Sequence, residues 1–228
     1  MLAALTDGVW IESAPVSFLG LRLTSNMTVL RSSDGNVLIH SPIALTPERR
    51  AAVEALGRVA HLYAPNTFHH QWIGEWAAAF PNALLHAPAG LAAKRPDLRV
   101  ARTHGAQPEP GFSGVLDEIS IAGFRLEETA LVHRPSRTLV VADLVANIGR
   151  PTHRWTATYT KLAGFYDQVA ISRVLRWTSF QDKKRARRCV DELLAQPFER
   201  LVVGHGESVA ADARDALAAA YEWLPEIA

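Results

Sequence analysis

Tyr63-Ala64-Pro65-Asn66-Thr67-Phe68-His69-His70-Gln71-Trp72-Ile73-Gly74-Glu75-Trp76 puts two adjacent imidazoles in a tight polar turn. Upstream, Val59 to Ala64 reads as a short buried strand. Downstream, Trp72, Trp76 and Phe80 recur at the four-residue spacing of one helix face. A strand that ends in a loop of His and Asn and then enters a helix is where α/β folds place chemistry. Loops at strand ends carry exposed side chains on a rigid frame. Taken alone, the two histidines are equally consistent with helix caps or exposed surface groups. The remaining chain decides.

Working outward toward the N-terminus, Gly8 to Ala14 and the longer Leu21 to Ser32 read as strands, rich in β-branched and apolar residues. Asp34-Gly35 marks a hairpin turn, and Asn36 to His40 a third strand that stops at Ser41-Pro42. Thr46-Pro47 is a helix start, with threonine as N-cap and proline at the first helical position. That helix runs to about Leu56, with Gly57 as its C-cap.

Toward the C-terminus, Ala83 to His86 forms a short strand and Pro88 to Arg95 a helical segment. The Pro/Gly-rich stretch from Arg99 to Gly114 is a loop, either a flap over a site or a surface excursion. Ile119 to His133 has strand character broken at Gly123. The turn Arg134-Pro135-Ser136-Arg137 then leads to Thr138-Leu139-Val140-Val141-Ala142-Asp143, an apolar strand expected to be central and buried on both faces. Aromatics from Trp155 to Trp177 suggest helices across one edge. Ser179-Phe180-Gln181-Asp182 resembles a capping box for a helix to about Ala195. Arg200 to Val203 is a last strand, running into Gly204-His205-Gly206-Glu207, and the final helix covers about Val209 to Trp223. Three strand ends therefore deliver His70, Asp143 and His205, a set that suggests one convergent site.

With 228 residues the chain is long enough for a substantial core and is read most simply as one domain, 1–228. A net charge of +1 gives no electrostatic case for nucleic acid or an anionic membrane. No apolar run reaches a membrane span, and Met1 to Trp10 lacks a basic region before an apolar core, so no signal peptide is expected. The lone Cys189, in a predicted helix, excludes an internal disulfide and fits a reducing compartment; the expectation is a cytoplasmic protein. The run Lys183 to Arg188 is interleaved with Asp182, Asp191 and Glu192 at helical spacing and reads as a solvated face.

Four segments resemble the metallo-β-lactamase fold: the hairpin before Val37-Leu38-Ile39-His40, the loop Asn66 to Gly74, Val141-Ala142-Asp143-Leu144, and Val203-Gly204-His205-Gly206. The resemblance covers nearly the whole chain and marks a divergent, poorly characterised branch. It implies an α/β fold, an αββα sandwich of two mixed sheets flanked by helices, with a metal site, usually dinuclear, at one edge between the sheets. The departures are specific. The family's H-x-H-x-D-H loop aligns as Asn66-x-Phe68-x-His70-Gln71 when Gly74 sets the register. Ala142 replaces a glycine, His40 stands where an early strand usually ends in aspartate, and Glu127 or Glu128 replaces the histidine one strand before Asp143.

Read ligand by ligand, the resemblance implies that the first metal is lost, because phenylalanine cannot ligate and an asparagine amide is a poor zinc ligand. The second retains His70, Asp143 and His205, enough for one Zn²⁺ or Fe²⁺ with an open position. A register shifted by one would use His69 together with His70. Glu128, or a histidine among His69 and His40, is then the expected proton carrier, and His40 is also a candidate for orienting the loop. His133 alternates with Leu131 and reads equally as a core or edge histidine. Two functions follow: a metal-dependent hydrolase with a degenerate mononuclear site and an unknown small-molecule substrate, or a metal-free relative that uses the fold for ligand or protein binding.

Overall fold

The computed structural model describes residues 1–106 and 109–226. Seven strands form the first sheet, in the order of the chain: β1 (Ala3–Thr6), β2 (Val9–Phe18), β3 (Leu21–Arg31), β4 (Val37–His40), β5 (Val59–Tyr63), β6 (Leu84–Ala87) and β7 (Arg102–Thr103). Pairing is antiparallel through β4 and parallel from β4 to β7. The second sheet has four strands, β8 (Leu116–Ser120), β9 (Thr129–His133), β10 (Thr138–Val140) and β11 (Arg200–Val202), ordered β11-β10-β9-β8. Its β10–β11 pair is parallel and the others are antiparallel.

Side-chain alternation sorts the core into layers. On the outer face of the first sheet, Ile39 and Leu62 pack with Val53, Ile73, Trp76 and Leu91. These last four come from helices α1 (Pro47–Glu54), α2 (Ile73–Ala79) and α3 (Ala89–Lys94). Between the sheets, Leu30, Leu38 and Tyr63 meet Leu116, Leu131, Val140 and Val202. On the far face, Val132, Leu139 and Leu201 pack with Val190, Leu193 and Leu217 of α6 (Lys183–Ala195) and α7 (Ala213–Ala220). Helix, sheet, sheet, helix is the layer order expected from the chain. As anticipated, β10 is central and wholly buried.

Helices α4 (Arg154–Ala163) and α5 (Arg173–Thr178) lie over one edge. Thr156 Oγ1 of α4 accepts a 2.9 Å hydrogen bond from the Arg22 amide, which joins the helix to the β2–β3 hairpin. Several boundaries differ from the sequence reading. β2 runs on to Phe18, and β1 was not anticipated. Asp182, not Ser179, caps α6, its Oδ1 accepting from the Arg185 amide at 2.9 Å. α7 begins at Ala213 rather than Val209, because the Val209 backbone pairs with Leu201 at 2.8 and 2.9 Å and extends the sheet instead. The basic run on α6 is solvated as expected, with Arg187 Nε on Asp191 at 2.8 Å and Ala186, Val190 and Leu193 turned inward. The stretch from Arg99 to Gly114, of which Gln107 and Pro108 lie outside the described residues, carries β7 and a 3-10 turn at Pro110–Phe112. It is the crossover from one sheet to the other. No helix among the described residues is long and apolar enough to cross a membrane.

Candidate metal centre

The β5, β10 and β11 strands all release their chains at the same end of the sandwich. There the His69 loop, Asp143 and His205 converge. His69 Nε2 lies 3.2 Å from His205 Nε2 and 3.4 Å from Asp143 Oδ1; His205 Nε2 lies 3.5 Å from that same oxygen. One donor atom from each residue is close enough to share a single ion.

The loop is turned by Asn66. Its Oδ1 accepts hydrogen bonds from the Phe68 and His69 amides at 2.8 and 2.9 Å, so the chain doubles back tightly and His69 points into the site. His70, expected from the sequence as the ligand, therefore points away. Its Nδ1 accepts from Arg95 Nη1 at 3.2 Å, and burial with the nearby Lys94 and Arg95 charges lowers its pKa. The register shifted by one also counts His70 beside His69, and the fold brings only His69 to Asp143 and His205. Phe68 is half exposed at the border of the site, with the Lys94 ammonium over its ring at 4.7 Å.

Two neighbours orient the imidazoles. His205 Nδ1 donates to the Thr24 carbonyl at 2.7 Å, which aims Nε2 at Asp143 and His69. His69 Nδ1 lies 2.6 Å from Ser41 Oγ. Ser41 takes a left-handed backbone, φ 51°, where β4 ends. His40 does not orient the loop: it stacks on Tyr63 and neither ring nitrogen has a partner among the described residues. Burial, with His69 and His104 adding to it, pushes His40 down to about 3.

Behind the centre, Glu128 is completely buried. Its Oε1 accepts from the Ala142 amide at 2.7 Å and the Leu144 amide at 3.3 Å; its Oε2 accepts from the Asp143 amide at 2.8 Å and Asn66 Nδ2 at 2.8 Å. Asn66 Nδ2 also donates to Asp143 Oδ2 at 2.9 Å. Asp143 thus gives one oxygen to Asn66 and the other to the two histidines. Burial and the Asp143 charge push Glu128 up, to about 7, against these donors. Burial also acts to raise Asp143, but the two histidines outweigh it and hold the carboxyl well below its usual range. For His205, burial acts to lower the pKa, and the Asp143 hydrogen bond more than reverses that.

The glycines flanking His205 are required by contact. A Cβ on Gly204 would sit 2.7 Å from the Ala142 carbonyl oxygen and 2.9 Å from His69 Cε1, and one on Gly206, φ 93°, would overlap the Asn147 carbonyl. Asn26, in the middle of β3, clamps this loop from the opposite sheet. Its Nδ2 donates to the Val203 and Gly206 carbonyls at 2.8 and 2.7 Å. The sequence reading passed over Asn26 and Ser41. An asparagine inside an apolar strand is a departure from strand preference, and that was the available signal.

A cavity of about 510 Å³ opens over the three donors. Phe18, Leu21 and Leu23 of the β2–β3 hairpin form one wall; Tyr159 and Phe165, from α4 and just beyond it, and Leu175 of α5 form another. The aromatic stretch from Trp155 to Trp177 therefore does shape the pocket. The described residues of the Arg99 to Gly114 loop do not reach it.

No family model and no curated protein matches the sequence. Solved structures do match the fold. A metallo-β-lactamase from Pontibacter korlensis superposes with a TM-score of 0.65 at 12% identity, over 98% of this chain and 99% of that one. The metallo-β-lactamase FIM-1 from Pseudomonas aeruginosa, in its mono-zinc form, gives 0.63 at 14% identity over 97% and 94%. A putative diflavin flavoprotein fragment from Nostoc gives 0.69 at 13% over 98% and 95%. The chain has the metallo-β-lactamase fold, with an altered set of candidate ligands.

Proposed function

We propose that the protein is a metal-dependent hydrolase with one divalent ion, Zn²⁺ or Fe²⁺, held by His69, Asp143 and His205, and that its substrate carries an extended apolar group. The observation that carries this reading is the donor spacing of 3.2, 3.4 and 3.5 Å. Metal–ligand bonds of 2.0–2.1 Å at tetrahedral angles imply about 3.3–3.4 Å between donors, so these three residues would hold one such ion beside the cavity. FIM-1, on the same fold, has been described in a mono-zinc form.

An ion at this place would supply Lewis acidity, acidifying water and polarising the oxygen of an ester, amide or phosphoester. The chain does the positioning. Thr24 and Ser41 fix the imidazole orientations, Asn66 holds Asp143 Oδ2 so that Oδ1 faces the cavity, and Glu128 fixes the backbone of Asp143 from behind. Glu128 is sealed from the cavity and acts as a positioning residue. Asp143 is the only carboxylate among the described residues of the cavity wall, and with one oxygen turned to the imidazoles and the other held by Asn66 it would serve as a ligand to the ion. The apolar walls exclude water and would bind an aliphatic or aromatic portion of the substrate.

One observation favours a metal-free binding protein instead: the two histidines and Asp143 also satisfy one another as a hydrogen-bonded set. Metal analysis of protein purified without chelator separates the readings. The hydrolase reading expects the metal content to fall by one equivalent in His69→Ala and in His205→Ala and to be unchanged in His70→Ala. Protein without that equivalent, or one that His70→Ala alone removes, refutes it.

A further inference from the structure

A second group of ligating side chains lies outside this centre. His61 of β5 and His86 of β6 project from adjacent parallel strands into the space between the sheets, 4% and 2% exposed, with Nδ1 of the first 3.0 Å from Nε2 of the second. The crossover between the sheets brings Glu109 to them, and one donor atom from each of the three lies within 4.8 Å of the others. None of the three borders the cavity over His69.

Glu109 is poorly satisfied where it stands. Oε1 accepts a long 3.4 Å hydrogen bond from the Gly111 amide. Oε2 is buried without a hydrogen-bond partner among the described residues and is ion-paired to Arg102 Nε at 3.3 Å, on a side chain 36% exposed. A part-exposed guanidinium in an ion pair compensates a buried carboxylate only in part, which leaves Glu109 able to take a cation from the histidine side.

We infer that His61, His86 and Glu109 form a second, structural site for a divalent transition ion of the zinc class. Two imidazoles and one carboxylate are a donor set that such ions take. The two imidazole nitrogens need to part by about 0.3 Å to reach the spacing of a tetrahedral site, a small ring rotation. The ion would join β5 and β6 to the segment that crosses to β8, and so staple one sheet to the start of the other. It binds the folded chain only, so it raises stability by mass action.

The test uses the full chain carrying His69→Ala and His205→Ala, which silences the first centre, with Zn²⁺ and Co²⁺ as probes. The expected result is one equivalent of zinc retained through gel filtration, a cobalt d–d absorption spectrum, and a melting temperature several degrees higher with zinc than with chelator. His86→Phe, which keeps the ring contacts with Tyr63 and Phe112, should abolish all three signals. Glu109→Gln, which keeps the size of the side chain and its Oε1 contact with the Gly111 amide, should weaken zinc at least tenfold. Absence of a bound equivalent, or zinc binding unchanged in both Glu109→Gln and His86→Phe, overturns the site. Because the first centre is silenced, either result leaves the hydrolase reading untouched.

Discussion

Glu128→Gln is the substitution whose cost the structure specifies most fully. Four N–H groups point at the Glu128 carboxylate, two at each oxygen, and every hydrogen bond it makes among the described residues is one it accepts. Glutamine is isosteric but must turn its NH₂ toward one of those pairs. Facing Ala142 and Leu144, it meets two backbone amides that cannot move without breaking the turn after β10. Facing Asp143 and Asn66, it meets one backbone amide and one amide side chain. Asn66 cannot relieve the clash by flipping, because its own Oδ1 already accepts from Phe68 and His69. Two buried donors are left unsatisfied either way, at about 1–3 kcal/mol each, or about 2–6 kcal/mol in total. A domain of this size holds only about 5–15 kcal/mol, so the loss would be conspicuous in urea unfolding of chelator-treated protein. Glu118→Gln is the matched control. Glu118 Oε1 accepts only from the Tyr63 hydroxyl, at 2.7 Å, a bond that a glutamine carbonyl reproduces, and burial already disfavours the charge there. It should change stability by less than about 1 kcal/mol. Equal effects of the two substitutions, or a Glu128→Gln cost under about 1 kcal/mol, would refute the donor count.

Other consequences are open to measurement. If the apolar walls bind substrate, kcat/KM on a series of p-nitrophenyl esters should rise about fourfold per added methylene until the cavity fills, the equivalent of about 0.8 kcal/mol per CH₂; a flat series contradicts the apolar-substrate reading. His40, His86 and His104 are each held by burial at about 3, against an ordinary value of 6.5. Their folded pKa values are depressed, so the stabilisation is complete above pH 6.5 and declines as pH falls toward 3, by up to about 1.4 kcal/mol per pH unit for each group. Urea midpoints of metal-free protein between pH 7 and 4 should show that slope, and a level profile would exclude it. His104→Phe keeps the 4.4 Å stack on Tyr63 and removes two nitrogens that have no partner among the described residues, so it should flatten the slope by one group's share. Gly206→Ala should cost roughly 2–4 kcal/mol, through a positive φ and a Cβ driven into the Asn147 carbonyl, and a neutral outcome would mean that the His205 loop is free to shift.

The layers of the fold were legible because alternation and strand-end polarity are local properties. Leu38 and Ile39 divide between two cores, β10 is apolar on both faces, and Gly204-His205-Gly206 announces a crowded strand end. What the sequence withheld was the register of a turn. Whether His69 or His70 faces inward depends on Asn66, whose side chain replaces a backbone turn by taking two amides, and nothing in a local pattern ranks that bond against the spacing to Gly74. Glu128 and Asn26 were hidden for a related reason. Their partners lie 14 to 180 residues away, and a side chain that serves distant backbone groups leaves no periodic trace.

The same turn explains how a sandwich of this type keeps one candidate centre in place of two. Among ordinary carboxylate sites, Asp143 would be free to rotate and to share both oxygens. Here Asn66 takes Oδ2, and Glu128 takes Asn66 together with the amides of Ala142, Asp143 and Leu144. The volume beside Asp143 is therefore occupied by a closed network of hydrogen bonds between protein groups. A closed network is rigid, and it fixes Oδ1 toward His69 and His205 as firmly as a second cation would. Asn66→Ala separates rigidity from simple loss of contact. It removes two caps from the His69 turn and frees Asp143 at once, so zinc affinity should fall about 10–100-fold while the His205–Thr24 bond survives. Unchanged affinity in that variant would show that the centre is positioned by the strands alone, with the network a passenger.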